Sequence, residues 1–457
     1  MQPEKYDVVV VGSGIGGLGA GALLSHWGYK TLVVERLGRV GGRYSSEEYE
    51  GFTLPTGGIS VLYKGTALEE VFKEVGAEME VVNVPRLFFR IRGTDYEMPA
   101  KGAVSTLFDM VNKLEEERAK ASGGRAQIVP TEKIMTAFRQ GIKDPGSIDR
   151  GLTFKEWLLQ YTDNELAHAV VDSLAYFSGG HSYEFPAWFV FTWFVRTGGF
   201  REVGIAPRGN IANMEKLAKV VRVNGDVWLN CPAKRILVTG KEAKGVVVEK
   251  DGAEVKIASK VVISNVGPRA TVQMAGEENF DDEEYLRMMR LSNMNLIATM
   301  VFVASDRPLW PESGEPAILQ LTETRRIIAA VPLSNMSPEL APPGQHLMFV
   351  FVAPVHFDAR QYVEVEHEQV LFDIKEQFPL FEKHGRILKM VVKGIEDEYP
   401  HGQAKHQWEL SVETPVRNLY NVGDGTESRG LNGGVAAIES GKRVAEIVRK
   451  LYRPGQT

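Results

Sequence analysis

Hydrophobic and polar positions change their period several times along the chain, and each change marks an element. Tyr6 to Val11 is a nearly unbroken β-branched run, and Thr31 to Val34 is a second. Continuous apolar runs of this length suit strands buried on both faces of a parallel sheet. Between them, Leu18 to Trp27 reads as a helix that stops at Gly28, a residue type that closes helices. From roughly Gly65 to Gly199 the pattern predicts mostly helix, with amphipathic pieces at Ala67 to Val75 and Val104 to Lys120. Asp226 to Val262 is different: short β-rich runs at Val227 to Leu229, Arg235 to Thr239, Gly245 to Lys250 and Glu254 to Ile257. The turn at Lys250 to Gly252 carries a hairpin signal. Asn295 to Ala304 and Leu347 to Pro354 also read as strands. Leu419 to Val422 is a short strand, followed by glycines and a helix from about Gly434 to Leu451. No internal repeat or low-complexity tract interrupts this order. Two strand–glycine–helix units thus stand at opposite ends of the chain. If they share one site, their domain is discontinuous and the middle forms a second domain.

Composition narrows the class. With 457 residues, 44% hydrophobic and 25% charged, the chain is an ordinary globular protein of two or three domains. The net charge of -6 gives no electrostatic case for nucleic acid, and none is expected as a partner. Cys231 is the single cysteine, which excludes an intrachain disulfide, a cysteine-rich zinc site and a thiol redox pair. The longest dense apolar run, Phe185 to Val195, contains Pro186 and falls short of the roughly 18 residues a spanning helix needs. Neither a secretory leader nor a lipidation motif is visible. A cytoplasmic protein is expected, with a peripheral membrane contact left open.

The first candidate chemistry lies at Gly12-Ser13-Gly14-Ile15-Gly16-Gly17. Among 46 glycines chance matches to G-x-G-x-x-G are common, so the context carries the argument. A buried strand precedes the motif, a helix follows, and Glu35 ends the next strand, 21 residues after Gly14. Gly12 permits the tight turn, Gly14 lets backbone approach a pyrophosphate, and Gly17 lets helix and strand pack closely. The helix N-terminus offers free N–H groups to phosphates, and Glu35 can accept from a ribose hydroxyl. Leu37 to Arg43, with Gly41-Gly42-Arg43 at its end, follows directly. Read alone, it is a solvated turn. Placed eight residues after Glu35, its glycines let the chain run along a ligand, and Arg43 can pair with a phosphate. At the other end, Gly423 allows close approach, Asp424 can accept from a ribityl hydroxyl, and Asn432 is placed to cap a helix aimed at the same ligand.

These segments together resemble the flavin amine oxidase and phytoene desaturase superfamily. Gly12 to Gly17, Glu35, Gly41-Gly42-Arg43, Gly423-Asp424 and "GLNGGVAAIESG" carry the resemblance. It spans the chain through its ends and is weaker in the middle. The phytoene desaturase and carotenoid oxidoreductase branch is the more similar one. "GFTLPTGG" is similar to its segment passing the flavin ring, and "APRGNIANMEKLAKVV" to its "PxGG…L" segment. "VWLNCPAKRI" resembles the strand pair whose backbone holds the adenine, and "VVISNVGP" its returning strand. Three departures bear on the substrate: Gly423-Asp424 is closer to the wider flavoprotein form, Asn210 replaces a common glycine, and phytoene desaturases tend to be longer.

The resemblance implies an α/β fold: a discontinuous Rossmann-like FAD-binding domain (1–64, 201–290 and 405–457) with a mixed α+β substrate domain inserted (65–200 and 291–404). It implies non-covalent FAD held by Gly12, Ser13, Gly14, Ile15, Gly17, Glu35, Arg36, Gly41, Gly42, Arg43, Thr56, Gly57, Gly58, Ala233, Asn265, Gly423, Asp424, Leu431 and Asn432. Only one G-x-G-x-x-G is present, so electrons are expected to pass to oxygen, a quinone or another carrier rather than to a second bound dinucleotide. The expected reaction is hydride transfer between a C–H bond of a small apolar organic substrate (polyene, isoprenoid or alicyclic) and flavin N5. Two alternatives stand beside it: amine oxidation, and a non-catalytic prenyl-binding protein of the same architecture.

Catalytic groups are faint. His401 is placed to carry a proton, though "YPHGQAKHQW" also reads as a surface loop. Tyr399 and Trp408 are candidates to line the flavin or substrate, and core positions suit them equally. Between Tyr176 and Phe200, 25 residues hold ten aromatics. Such a run suits either a lined tunnel or a core helix, and it places Trp188 or Trp193 at the substrate cavity.

Overall fold

Val8 to Val11, free of charge and branched at Cβ, form the centre of a strand, Glu4–Val11, whose apolar residues lie buried from Tyr6 on. We describe the chain from a computed structural model covering residues 4–59, 61–99, 103–176, 181–199, 203–295, 298–353, 363–393, 402–404, 410–427 and 429–455. On one side the first strand pairs in parallel with Thr31–Val34, which pairs in turn with Gly225–Trp228. On the other it pairs in parallel with Ala253–Ser264. That 12-residue strand has two roles. Its first half pairs antiparallel with Glu242–Lys250, which pairs with Ala233–Thr239. Its last residues, Val262 to Ser264, pair in parallel with Leu419–Asn421. One seven-stranded sheet therefore joins the two ends of the chain. The sequence pattern had divided Glu254–Ile257 from Val261 onward. Pairing of Glu4 to Tyr6 with Ile257 to Ser259 carries the strand through the polar step between them.

Helices Ile15–His26, Asn210–Val221 and Gly433–Leu451 pack together in the same core. Gly28, at φ +92°, ends the first of them as expected. The hairpin at Asp251-Gly252 has both residues at positive φ, 53° and 79°, the geometry that lets two strands reverse without splaying.

The chain divides into two units: Met1–Val82, Glu202–Asn295 and Glu398–Thr457 form the first; Asn83–Arg201 and Leu296–Asp397 form the second. The expected boundary at residue 64 moves to 82. The reason is the helix Ala67–Glu74, whose Leu68, Val71 and Phe72 are buried in the first unit's core. Each such side chain contributes about 1.5–3 kcal/mol relative to exposure, which fixes the helix there.

The second unit holds a mostly antiparallel seven-stranded sheet. Its order is Gly385–Lys393, Ala298–Ser305, His346–Val352, Ile327–Val331, Ile318–Leu321, Leu87–Ile91 and Thr94–Glu97. The hairpin Leu87–Glu97 interrupts the stretch expected to be mostly helical. Arg92 and Gly93 turn it at φ 50° and 74°, and Phe89 and Ile91 face the core. Val363–Gln377 packs on this sheet through Val370 and Ile374. Five helices, Ala103–Ser122, Thr131–Lys143, Phe154–Leu159, Glu165–Tyr176 and Ala187–Thr197, gather around a separate apolar core. Among the described residues, no helix is long and apolar enough to cross a membrane.

A close joint in the first unit is where two helices cross at glycine. A Cβ added to Gly441 would stand 2.2 Å from the Gly16 carbonyl oxygen. Gly441→Ala should lower thermal stability by about 1–3 kcal/mol through overpacking, even though alanine is the better helix former by about 1 kcal/mol. Calorimetry or a circular dichroism melt reads this directly. An unchanged midpoint would show that the crossing tolerates separation.

Candidate functional site

Loops of the first unit meet at the carboxyl ends of its parallel strands, where open α/β sheets place ligands. The turn at Gly12, φ +92°, leads from the first strand into the helix that begins at Ile15. Its backbone runs beside the Gly41-Gly42 turn: the Gly41 N–H donates to the Ser13 carbonyl at 2.9 Å, and Gly14 bridges Gly41. The segment Thr56 to Gly58, after the strand Phe52–Pro55, docks on the same turn. Thr56 Oγ1 donates to the Gly42 carbonyl at 2.8 Å, and the Gly58 N–H donates to the Arg43 carbonyl at 2.9 Å.

Glu35 follows the second strand and is 6% exposed. Its Oε2 accepts from the Ser13 N–H at 2.8 Å and the Ser13 hydroxyl at 2.7 Å, and its Oε1 accepts from the Leu37 N–H at 3.0 Å. Ser13 therefore holds the carboxylate in place rather than standing alone at the ligand. A carboxylate has about four acceptor sites, so Oε1 keeps one for a hydroxyl. The segment before Ala233 lies alongside: Cys231 N–H donates to the Glu35 carbonyl at 2.7 Å, and Asn230 N–H to the Leu37 carbonyl at 3.0 Å. Ala233 itself opens its strand opposite Val248. Arg36 points to the exposed surface beside this carboxylate.

Arg43 and Asp424 meet each other. The guanidinium reaches both carboxylate oxygens, with Arg43 Nη1 to Asp424 Oδ2 at 2.9 Å. The sequence assigned these residues separately, to a phosphate and to a ribityl hydroxyl. The fold makes them one bidentate pair whose Asp424 side chain is 9% exposed, a strong and orientation-specific contact. Asp424 retains acceptor capacity on the side away from the guanidinium.

Asn265 follows the long strand, and its N–H donates to the Val11 carbonyl at 2.8 Å. Its carboxamide fills the space that a Cβ at Gly14 would occupy, with Nδ2 2.3 Å from that position. The glycine at 14 is thus required by Asn265, in addition to any approach of a pyrophosphate. Gly17 behaves as expected: a Cβ would stand 2.3 Å from the Gly12 carbonyl oxygen.

The closing helix brings a second N-terminus. Asn432 holds the N-cap position, but its side chain makes no cap bond to the first turn, and no acidic residue stands there. The same is true of Gly14 and the first helix. Both helices therefore direct N–H groups and positive partial charge outward, uncapped by their own side chains. A Cβ at Gly433 would meet nothing within 4 Å, whereas Leu431 just before it is buried. Ile15 is buried as well, inside the core rather than on the cradle.

Two residues outside the sequence expectation belong here. Ser440 accepts from the Gly423 N–H at 2.8 Å and donates to the Ala437 carbonyl at 2.6 Å. Its helical spacing from Gly433 and Ala437 was a usable signal. Tyr44 is buried against Gly58 and Gly434, and burial drives its phenol well above the usual range. No motif announced it.

This donor set fits a dinucleotide. Two uncapped helix starts suit phosphates, a fixed buried carboxylate suits a ribose, and Asp424 beside Gly423 suits a polyol chain. Glycine at 433 keeps the rim backbone bare there. His401, Tyr399 and Trp408 lie outside the described residues. Among the described residues no group of three His, Cys, Asp or Glu could hold a metal.

The second unit contains a cavity that is partly open to solvent. Trp193, Phe185, Phe189 and Phe194 line it, together with Phe138 and Trp157 from neighbouring helices. Trp188 does not: it packs with Phe185 and Phe189, under the Arg150 guanidinium at 4.6 Å. The aromatic run is split by the helix carrying it, with Phe191 in the packed core and Trp193 on the cavity. The segment therefore both packs a core and lines the cavity.

Comparison with known proteins follows the same lines. The family model described as flavin containing amine oxidoreductase matches residues 15–449. An uncharacterized protein of Methanocaldococcus jannaschii is 24% identical over 426 residues, 92% of this chain and 94% of that one. The crystal structure of an oxidoreductase from Methanosarcina mazei superposes with a TM-score of 0.80 at 25% identity, covering 97% of this chain and 100% of that one. Shorter matches run to flavin-containing amine oxidases and to phytoene desaturases alike. One of them, the zeta-carotene-forming phytoene desaturase of Myxococcus xanthus, is 41% identical over 73 residues, 16% of this chain and 14% of that one.

Glu35 is the sharpest test of the cradle. A hydrogen bond to a charged group is worth about 1.5–3 kcal/mol, so Glu35→Ala should weaken flavin binding roughly tenfold to a hundredfold. Equilibrium titration of the flavin-free protein measures it. Unchanged affinity would remove Glu35 from the ligand.

Proposed function

The chain belongs to the flavin-containing amine oxidoreductase family, and from that premise we propose an enzyme that holds FAD without a covalent bond and acts on an apolar substrate. Bound FAD supplies a two-electron acceptor or donor at the isoalloxazine ring. The protein's own residues bind and orient it. Glu35, fixed by Ser13 and Leu37, takes the ribose of the adenosine half. The two helix starts at Ile15 and Gly433 take the pyrophosphate and its neighbourhood. Asp424, oriented by Arg43, takes the ribityl chain. This division needs a dinucleotide; a mononucleotide would leave Glu35 without a use.

Absence of a covalent link is supported by Cys231. It is 1% exposed, and burial pushes its thiol up to about 11, leaving it protonated and unreactive at neutral pH.

The observation that carries the substrate class is the lining of the cavity in the second unit. Of its lining side chains, all but Ser182 are apolar, and none is charged. An ammonium group placed there would be desolvated without a counter-charge, which costs several kcal/mol. An apolar polyene, isoprenoid or alicyclic compound meets no such penalty. The reaction proposed is transfer of hydride between a substrate C–H bond and the flavin, with a C=C bond formed or reduced. Oxygen, a quinone or another carrier exchanges electrons with the flavin, and a cytoplasmic location with peripheral membrane contact suits such a substrate. Amine oxidation remains the second reading because the family model and several shorter matches carry that name.

Two measurements test this. The purified protein should be yellow, and acid precipitation should release intact FAD into the supernatant. FMN there, or flavin left on the pellet, would contradict the cofactor assignment. Under anaerobic conditions, polyenes and cyclic acyl compounds should bleach the oxidised flavin or reoxidise the photoreduced one, and primary amines should do neither. Bleaching by an amine alone would overturn the substrate class.

A further inference from the structure

Among the side chains that line the cavity of the second unit, Ser182 carries the one hydroxyl, beside the indole N–H groups of Trp157 and Trp193. Ser182 is 1% exposed, and its Oγ has no hydrogen-bond partner. The backbone of Ser182 is fixed on both sides. Its N–H donates to Asp172 Oδ1 at 3.1 Å, and its carbonyl accepts from the Lys155 N–H at 3.0 Å. The hydroxyl is therefore presented by a held backbone.

Buried hydroxyls almost always find a partner, because leaving one unmade disfavours the folded state. A lone water is held only where two to four polar neighbours surround it, whereas the walls of this pocket are almost wholly aromatic and aliphatic. Collapse of the cavity is resisted by its wall. Phe154 and Trp157 stack with planes 5° apart at 5.4 Å, and Phe191 meets both rings edge-on at 6.0 and 5.1 Å. Gly141 leaves room for Phe191, since a Cβ there would stand 2.8 Å from the ring. The aromatic wall is locked from behind. Small-molecule sites pair apolar walls with a few placed polar groups, and this lining has that character.

We propose that this cavity binds a molecule with an apolar chain or ring system and a single hydroxyl or carbonyl oxygen, and that Ser182 Oγ is the group that recognises the oxygen. The inference rests on the reading of an apolar substrate and narrows it: the ligand is an oxygenated isoprenoid-like compound rather than a pure hydrocarbon. Ser182 is a positioning residue that fixes one end of the ligand and with it the register of the remaining carbon chain.

The experiment uses the flavin-loaded, full-length protein and two probes of similar carbon skeleton, farnesol and farnesene. Binding is followed by calorimetry and by quenching of tryptophan emission, since Trp157 and Trp193 line the cavity. Both probes should bind, farnesol more tightly. Ser182→Ala should weaken farnesol about threefold to tenfold, as expected for one neutral hydrogen bond, and leave farnesene unchanged. Ala175→Phe, which fills the cavity from its lining, should abolish both while flavin content stays at the wild-type level. If Ala175→Phe loses flavin or fails to fold, Val171→Phe on the same helix takes its place. The proposal is overturned if neither probe binds, if filling the cavity leaves binding unchanged, or if Ser182→Ala weakens both probes equally. Binding that follows the expected pattern, with no polyene reacting with the flavin, supports this site and overturns the substrate reading instead.

Discussion

The crossing of the first and last helices without side chains between them sets the rest of the cradle. A Cβ at Gly16 would stand 2.7 Å from the Ala437 carbonyl oxygen, and one at Gly441 would overlap Gly16. Because the backbones touch, the two helix starts at Ile15 and Gly433 are brought together although more than 400 residues separate them. A β-branched residue at either glycine would push the helices apart and separate the two N-termini. Gly423 is then seated between them, with its N–H on Ser440 and its Cα side against the Asn265 carboxamide.

Around that joint, charge is arranged so that little is left to chance. Glu35 is buried, yet accepts from two backbone N–H groups and a hydroxyl, which is what a buried carboxylate requires. Asp424 is held by Arg43 from the neighbouring turn. A second buried network ties the sheet to its outer helices: the Thr271 hydroxyl meets both Ser264 and the Asn421 side-chain oxygen, and the Asn421 amide donates to the Tyr285 hydroxyl. Removing one partner from such a network leaves the others unsatisfied in a dry interior. The cradle is therefore preorganised by interactions that the ligand does not supply.

The second unit follows a different logic. Its cavity is defined by what does not pack. Phe191 and Gly141 close one side of the helix Ala187–Thr197, and Trp193 and Phe194 leave the other open. Aromatic rings with few rotamers make a stable wall, so the volume persists without polar scaffolding. One hydroxyl then suffices to give the site a direction.

The sequence by itself determined the first unit closely. Strands at Glu4–Val11 and Thr31–Val34, the glycine turn between them, Glu35 at the strand end and the closing helix were legible because each depends on neighbours a few residues away. Periodicity, a turn glycine and a buried apolar run are local signals. What only the tertiary structure decided are the partnerships across the chain. Arg43 meets Asp424 over 381 residues, Asn265 occupies the space beside Gly14, and Ala67–Glu74 joins the first unit because its apolar stripe found a core there. The aromatic run from Tyr176 to Phe200 shows the same division. Its composition was plain, but which rings pack inward and which line a cavity depends on the opposing helices, and no spacing within the segment encodes that. Helix and strand periods fix which way a side chain points from its own element. Only the packing of distant elements decides what it meets, because contact energies act between surfaces that the chain brings together after those local choices are made.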